Sequence, residues 1–399
     1  MGFLDFQAAG GAVADDAPRA APEPAADARA WSDPATWGGR VPQPGEDVVV
    51  GAGRSVVVDR DIDVASITVF GTLQFAPLDL TVRSNWILVE GGGVLRAGSG
   101  EAPHSERLTL SLRGTPSDAS VQGLGTKFLA AVRGGTIELN GRRRASWVPL
   151  GDSTIVGANF VRLAQPVDWL PGETVAIASG GAELPLVEER TVVGVEHDRC
   201  TLALDRPLQH RHLGRNAPVL RAPASAVAKV ALLSRSIVVE GDESSTAGGF
   251  GAHCLIGSGT PEAAGEGART SSGRFRHVEF RRMGQFNRGE RFPLQWIANG
   301  DSTASCAIDC LIHQSFQRGV VVAGSPHVRL AGNVVYKPYG HAYVIEHTDD
   351  AAQMIATNLV VRPRVVRFAH PALRGLHEHR PRAFWFGPLR SGPASRGAH

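Results

Sequence analysis

From Val48 onward the chain is written in short apolar runs broken by Gly, Asp and Asn. Val48-Val49-Val50, Ser55-Val56-Val57-Val58-Asp59, residues 66–75 (SITVFGTLQF) and residues 85–95 (NWILVEGGGVL) set β-branched positions against polar ones. That alternation is the period of a strand. Helical period is scarce, and residues 222–233 (APASAVAKVALL) fit either a strand or a short helix.

The runs recur. Ile67, Val69 and Gly71 return 20 residues later as Ile87, Val89 and Gly91. Leu330-x-x-Asn333-Val334-Val335 returns 25 residues later as Ile355-x-x-Asn358-Leu359-Val360, and 318–322 is similar to 340–345. A drifting period of 20–25 residues without intervening helix predicts an all-β chain built as a parallel β-helix. Each coil would stack three short strands on the coil before it, around a ladder of Ile, Val and Leu. Asn333 and Asn358 are placed to bridge neighbouring turns. A β-sandwich is the alternative for short Gly-rich strands, but it gives no reason for such a repeat.

Composition changes this picture little. Of 399 residues, 47 are Gly and 25 Pro, rich in turn formers but without a collagen period. No apolar run approaches the roughly 20 residues of a membrane-spanning helix, which predicts no integral membrane segment. Charge is uneven. Residues 362–399 hold eight Arg against Glu378 alone, and the remainder holds 33 basic and 38 acidic residues, a net of −5. A mildly acidic body argues against a nucleic-acid partner. Lys occurs only at 127, 229 and 337, so Arg carries most of the positive charge. The four cysteines form no CxxC and are too few for a disulfide framework. Residues 1–30 lack a basic start and an apolar core and read as a disordered Ala/Pro linker, with no visible signal peptide.

One segment is specific. Trp31-Ser32-Asp33-Pro34-Ala35-Thr36-Trp37-Gly38-Gly39-Arg40-Val41-Pro42 precedes Pro44-Gly45-Glu46-Asp47 and Val89-Glu90-Gly91-Gly92-Gly93-Val94-Leu95 follows, with Gly135-Thr136-Ile137-Glu138-Leu139-Asn140-Gly141 beyond. Together they resemble the G-eight domain, named for its eight glycines. Further on, Arg291-Phe292-Pro293-Leu294-Gln295-Trp296-Ile297 with Gly300-Asp301, Ile312-His313-Gln314-Ser315-Phe316-Gln317-Arg318 and Gly340-His341-Ala342-Tyr343-Val344-Ile345-Glu346 resemble the central β-helix of the same family. That family is the ectodomain family of the cell-migration-inducing hyaluronan-binding protein and the transmembrane hyaluronidase. The resemblance implies a right-handed parallel β-helix with an N-terminal G-eight β-domain. It divides the chain into a linker (1–30), the G-eight domain (31–150), a β-rich connecting region (151–230), β-helix coils (231–361) and a basic tail (362–399).

The departures from the family are as informative. Relatives read Arg-Tyr-Pro-Ile-His-aromatic-His, where Gln295 and Ile297 stand here. The usual His-Gly is Ala323-Gly324, and the usual Glu-Asp-Gly is Glu346-His347-Thr348. The chain stops where relatives continue, which reads as a shortened frame.

The resemblance implies an acidic, uronate-containing polysaccharide as partner, with hyaluronan the example, and a secreted protein. Such a polymer needs cations for its carboxylates, a task that suits Arg. Hydrolysis adds a carboxyl acid and a second carboxylate or base, and elimination adds a base beside a neutralised uronate. Candidates for the chemistry are His341, Glu346, His313 and Asp301. Candidates for substrate binding are Arg291, Arg318 and Asp309. Each has a plainer reading: Asp301 as a turn residue after Gly300, His313 as a satisfied strand histidine, Arg318 as an ion partner of Asp309. Cys306-x3-Cys310-x2-His313 fits no standard zinc spacing, and buried coil cysteines explain it better. No metal site is called; calcium is the one cofactor left open, and the oligomeric state is not readable. Two functions stand side by side: an enzyme that depolymerises the glycan, and a carbohydrate-binding or structural β-helix without catalysis.

Overall fold

The computed structural model describes residues 28–180, 186–217, 224–257, 269–346, 354–365 and 381–386. The opening expected to be a linker lies, through residue 27, outside the described residues, as does most of the basic tail.

Among the described residues the chain winds through three parallel sheets in a fixed order. Asp47–Val50 starts sheet 1, Ser55–Val58 follows in sheet 2 and Ile62–Asp63 in sheet 3, and Ser66–Val69 then returns to sheet 1. The cycle continues to Leu359–Val361 in sheet 3 and Phe384–Phe386 in sheet 1. Sheets 1 and 2 have nine strands and sheet 3 has eight. The predicted echoes are literal neighbours: Ile67 pairs with Ile87, Leu330 with Ile355 and Val334 with Leu359. Because strand side chains alternate in direction, one half points inward. Val48, Ile67, Ile87, Leu129, Cys254, Leu294, Val320 and Tyr343 form part of one apolar column that runs through the molecule. The coils of the eight-glycine segment and the later coils share this column.

Corners hold the winding tight. An added Cβ at Gly93 would collide with the Val69 carbonyl oxygen, and one at Gly135 with that of Val89. These glycines let one coil's corner lie against the strand below. Asn333 joins three coils: its Oδ1 accepts from Cys310 N at 2.8 Å, and its Nδ2 donates to Ala307 O at 2.8 Å and Asn358 Oδ1 at 2.9 Å. The two-tryptophan opening closes the first end. Trp31 is buried, its ring edge-on to Trp37 at 4.7 Å, and Trp37 Nε1 donates to Trp31 O at 2.8 Å.

The chain leaves the winding after Asn140 and re-enters at Ile237. In between, an antiparallel sheet of six strands forms from Trp147–Pro149, Phe160–Arg162, Thr174–Ala178, Val187–Val195, Thr201–Leu204 and Lys229–Leu232. The ambiguous 222–233 segment resolves, from residue 224 on, as a short 3-10 turn and then this last strand. One face encloses a core around Trp169, Ile177 and Leu202. The other, through Ala176, Ala178, Ala231 and Leu233, covers Leu311, Val334, Tyr336 and Leu359 on the outside of sheet 3. The outer face of sheet 3 is therefore sealed by this insertion, whereas among the described residues sheet 1 is covered by the turns that lead into it. No helix among the described residues is long and apolar enough to cross a membrane.

Candidate functional site

The outward positions of sheet 1 form straight columns, one residue per coil at about 4.8 Å spacing. One column runs Leu88, Ala130, Leu255, Gln295, Val321, Val344. The next runs Gly257, Ile297, Ala323, Glu346. Gln295 and Ile297 thus sit on the outside of the coil, not in its interior, where Leu294 and Trp296 lie. Gln295 is nonetheless fully buried; its Nε2 donates to Glu290 O at 3.1 Å and its Oε1 has no partner.

The turns from sheet 3 into sheet 1 stack beside this face as a ridge: residues 113–127, 242–252, 282–293, 314–319 and 337–342. They carry guanidinium groups on aromatic rings. Arg288 lies 5.2 Å from the Phe250 ring centre, Arg318 5.7 Å from Phe292, and Arg364 of the next turn 3.7 Å from Tyr339. Phe286 meets Tyr339 edge-on at 6.3 Å. Lys127, its side chain fully buried, holds Asp242 at 2.6 Å; burial lowers its pKa while Asp242 pulls the other way. Arg291 donates to Glu290 O at 2.8 Å and Gly123 O at 3.1 Å, and burial lowers its pKa.

The predicted residues fall in four separate places. Arg291, Arg318, His341 and Glu346 belong to sheet 1 and its ridge. His341 and Glu346 do not form an acid–base pair: they lie at opposite ends of the strand Tyr343–Glu346, five residues or about 16 Å apart. His341 Nδ1 instead accepts from Arg382 N at 2.9 Å. His313 is on the other side, beneath the insertion, with Nε2 3.0 Å from Glu279 Oε1. Burial works to raise the pKa of Glu279, but the hydrogen bond and charge of His313 outweigh it, and the net shift is downward. Asp309 stands at the corner between sheets 2 and 3, where Ser146 of the insertion donates to its Oδ1 at 3.0 Å. Burial raises its pKa. Arg318 stacks on Phe292, so the expected Arg318–Asp309 pair does not form. Asp301 is an exposed turn residue. It accepts from Thr303 Oγ1 at 2.6 Å and contacts His327 Nδ1 at 2.8 Å, and these bonds, Thr303 first, lower its pKa to about 2.

Cys310 faces the coil interior, and Cys306 lies on the outer side of sheet 2 in register with Arg274 and Arg329; both are buried thiols. Burial raises the pKa of both, that of Cys310 to about 12. The residue that sequence reading passed over is His253. It is fully buried on the outer face of sheet 1, in register with Phe128 and, one coil further, Trp86. Its signal was there to read, since the run 253–257 (HCLIG) puts a histidine two positions before an outward leucine.

With the geometry in place, comparison with known proteins separates fold from function. The G8 domain model matches residues 36–151 and the CEMIP beta-helix model residues 249–377. Fibrocystin-L of Homo sapiens is 28% identical over 392 residues, covering 89% of this chain and 9% of that protein. A G8 domain-containing protein of Dictyostelium discoideum is 27% identical over 332 residues, covering 79% of this chain and 27% of that protein. The chain thus spans about a tenth to a quarter of the length of these relatives. Among solved structures, the Gp54 tailspike of Acinetobacter baumannii bacteriophage AP22, determined with a capsular saccharide, covers 73% of this chain and 53% of its own at 9% identity. Its TM-score of 0.24 is too low to carry an argument. The G8 domain and CEMIP beta-helix models thus match two parts of this chain, in that order, along the same winding.

Proposed function

We propose that this protein binds an acidic, uronate-containing polysaccharide along the ridge beside sheet 1, as a binding module rather than a hydrolase. The observation that carries the reading is the row of stacked cations: Arg288 on Phe250, Arg318 on Phe292 and Arg364 on Tyr339. A ring behind a guanidinium fixes its plane, and its N–H fork suits a carboxylate. Three of the turns along the helix axis repeat this arrangement, which suits a polymer carrying charges at intervals. The family resemblance makes hyaluronan the first polymer to test.

Catalysis is the second reading, and Glu346 is what favours it. This half-exposed carboxylate shares the outward column of Ile297. Glycoside hydrolysis uses two carboxyl groups about 5–9.5 Å apart. His313, Asp309 and Asp301, the other candidates, lie away from this face. Without the paired imidazoles of relatives at 295 and 297, turnover is expected to be slower by about 100-fold or more.

The test pairs a binding titration of hyaluronan oligosaccharides with a reducing-end assay. Salt-sensitive binding, weakened about tenfold by Arg318→Ala, with no new reducing ends, is the expected result. New ends, lost in Glu346→Gln, would establish the enzyme instead. No binding to any polyuronate refutes the proposal.

A further inference from the structure

Under the ridge, the outer face of sheet 1 holds polar groups that the fold leaves unused. We propose that Trp86, Phe128, His253 and Gln295 form an occluded sugar-binding track, gated by the strap 113–127 and opened when a ligand carboxylate takes Arg288 and Arg291 from that strap. The inference rests on the glycan reading above and deepens it.

Three rings stand in register on consecutive coils. Trp86 and Phe128 stack at 5.8 Å with an 18° interplanar angle, and Phe128 meets His253 at 5.7 Å. Ring faces repeating at the coil spacing offer a platform for the apolar faces of sugar rings. Beside it, His253 is completely buried with neither ring nitrogen hydrogen-bonded, and the buried Gln295 Oε1 is also unpaired. The backbone of Leu124 in the strap lies near enough to pull the His253 pKa upward without completing a hydrogen bond. Burial, with Arg291 adding to it, pushes that pKa far down and keeps the imidazole neutral. A neutral imidazole offers one donor and one acceptor, and Gln295 adds an acceptor, the set that hydroxyl groups satisfy. Unpaired polar atoms in a dry site cost stability. A purely structural position would carry an apolar side chain, as Leu255, Val321 and Val344 do in the neighbouring column.

The roof is built to come off. Val121 and Leu124 of the strap pack on Leu88, Phe128, Ala130 and Leu255. Its ends are anchored by Arg113 on Asp63 and Lys127 on Asp242, and Gln122 meets Arg133 and Glu90. Its middle is further latched by Arg291 Nη2 to Gly123 O at 3.1 Å, Arg288 Nη2 to Pro116 O at 3.3 Å and Gln285 Nε2 to Thr126 O at 3.1 Å. Arg291 and Arg288 are guanidinium groups spent on neutral carbonyls. A carboxylate makes a shorter, stronger, bidentate bond to the same groups. A uronate arriving on the ridge therefore displaces the carbonyls, frees the strap and uncovers the track for the adjoining sugar.

The test uses the full chain and hyaluronan oligosaccharides as probe, with calorimetric titration, thermal unfolding and hydrogen exchange. His253→Leu and Gln295→Leu should melt at or above the parent temperature, because each removes an unpaired buried group, yet bind about tenfold more weakly. Leu124→Ser should loosen the roof and bind more tightly. Exchange in 114–126 should rise when the oligosaccharide is added to the parent chain. Parent binding with both Leu variants unaffected overturns the track while the ridge stands. Exchange that falls on ligand addition overturns the gate. No binding by the parent chain overturns the glycan reading and the track together.

Discussion

The outer faces of sheets 1 and 3 are built from the same coils and differ in what covers them. Sheet 3 is sealed by the six-stranded insertion, and its outward charges are paired. Glu279 takes His313 at 3.0 Å and Arg235 N at 3.0 Å. Glu240 takes Arg281 and, at 2.8 Å, Arg282. From the insertion, Glu189 takes Tyr336 Oη at 2.5 Å and Lys337 Nζ at 2.7 Å. Sheet 1 is roofed by irregular chain, and both nitrogens of His253 stay unpaired beneath it. A buried polar group whose bonds are all made holds the fold together. One whose bonds are missing needs an explanation of its own. By that contrast His313, an attractive catalytic candidate in the sequence, reads as a link between neighbouring coils through Glu279.

The contrast breaks hardest at Glu279. Glu279→Ala leaves His313 and the Arg235 amide without their carboxylate in a buried interface, and about 3–5 kcal/mol of stability should be lost, measured by chemical denaturation. If unfolding free energy changes by less than about 1 kcal/mol, the paired network is not what seals sheet 3.

Asn333→Ala comes next. It strips partners from Cys310 N and Ala307 O inside the winding. A loss of about 2 kcal/mol is expected, with the coils around 306–361 exchanging amide protons first. Loss confined to the insertion would contradict this placement.

Acid should loosen the corner between sheets 2 and 3. Burial lowers the His277 pKa to about 3, with Arg235, Arg143 and Arg276 adding to the effect. Between pH about 6.5 and about 3 the unfolded chain binds a proton there that the folded chain refuses. The stability is therefore complete above about pH 6.5 and falls as pH drops toward 3. Melting temperature against pH should slope less steeply over this window in His277→Gln; an unchanged slope would assign the acid sensitivity elsewhere.

The smallest effect belongs to Asp301. It is exposed, and its partners Thr303 and His327 are surface groups. Asp301→Asn should shift stability by under about 0.5 kcal/mol and leave glycan affinity unchanged. A tenfold loss of affinity would return Asp301 to the site.

The period of the apolar runs fixed much of the architecture before any coordinates. Echoes such as Ile67 with Ile87 name the strands that pair, and alternation names the side that faces inward, because strand side chains switch faces at every residue. The glycines at 93 and 135 mark corners for a steric reason that holds locally. What alternation cannot say is what lies over the outward half. His313, His253 and Gln295 are all outward positions on strands of one pattern. His313 became a bonded group because Glu279, 34 residues away in the chain, stands beside it on the neighbouring coil. His253 and the Oε1 of Gln295 stay unpaired beneath the turns 113–127 and 282–293. Periodicity is a local property of the backbone, so the sequence by itself determined the coil and its interior. Burial and pairing of outward groups depend on contacts between distant segments, and only the tertiary structure decided which of them were bonded and which were left open.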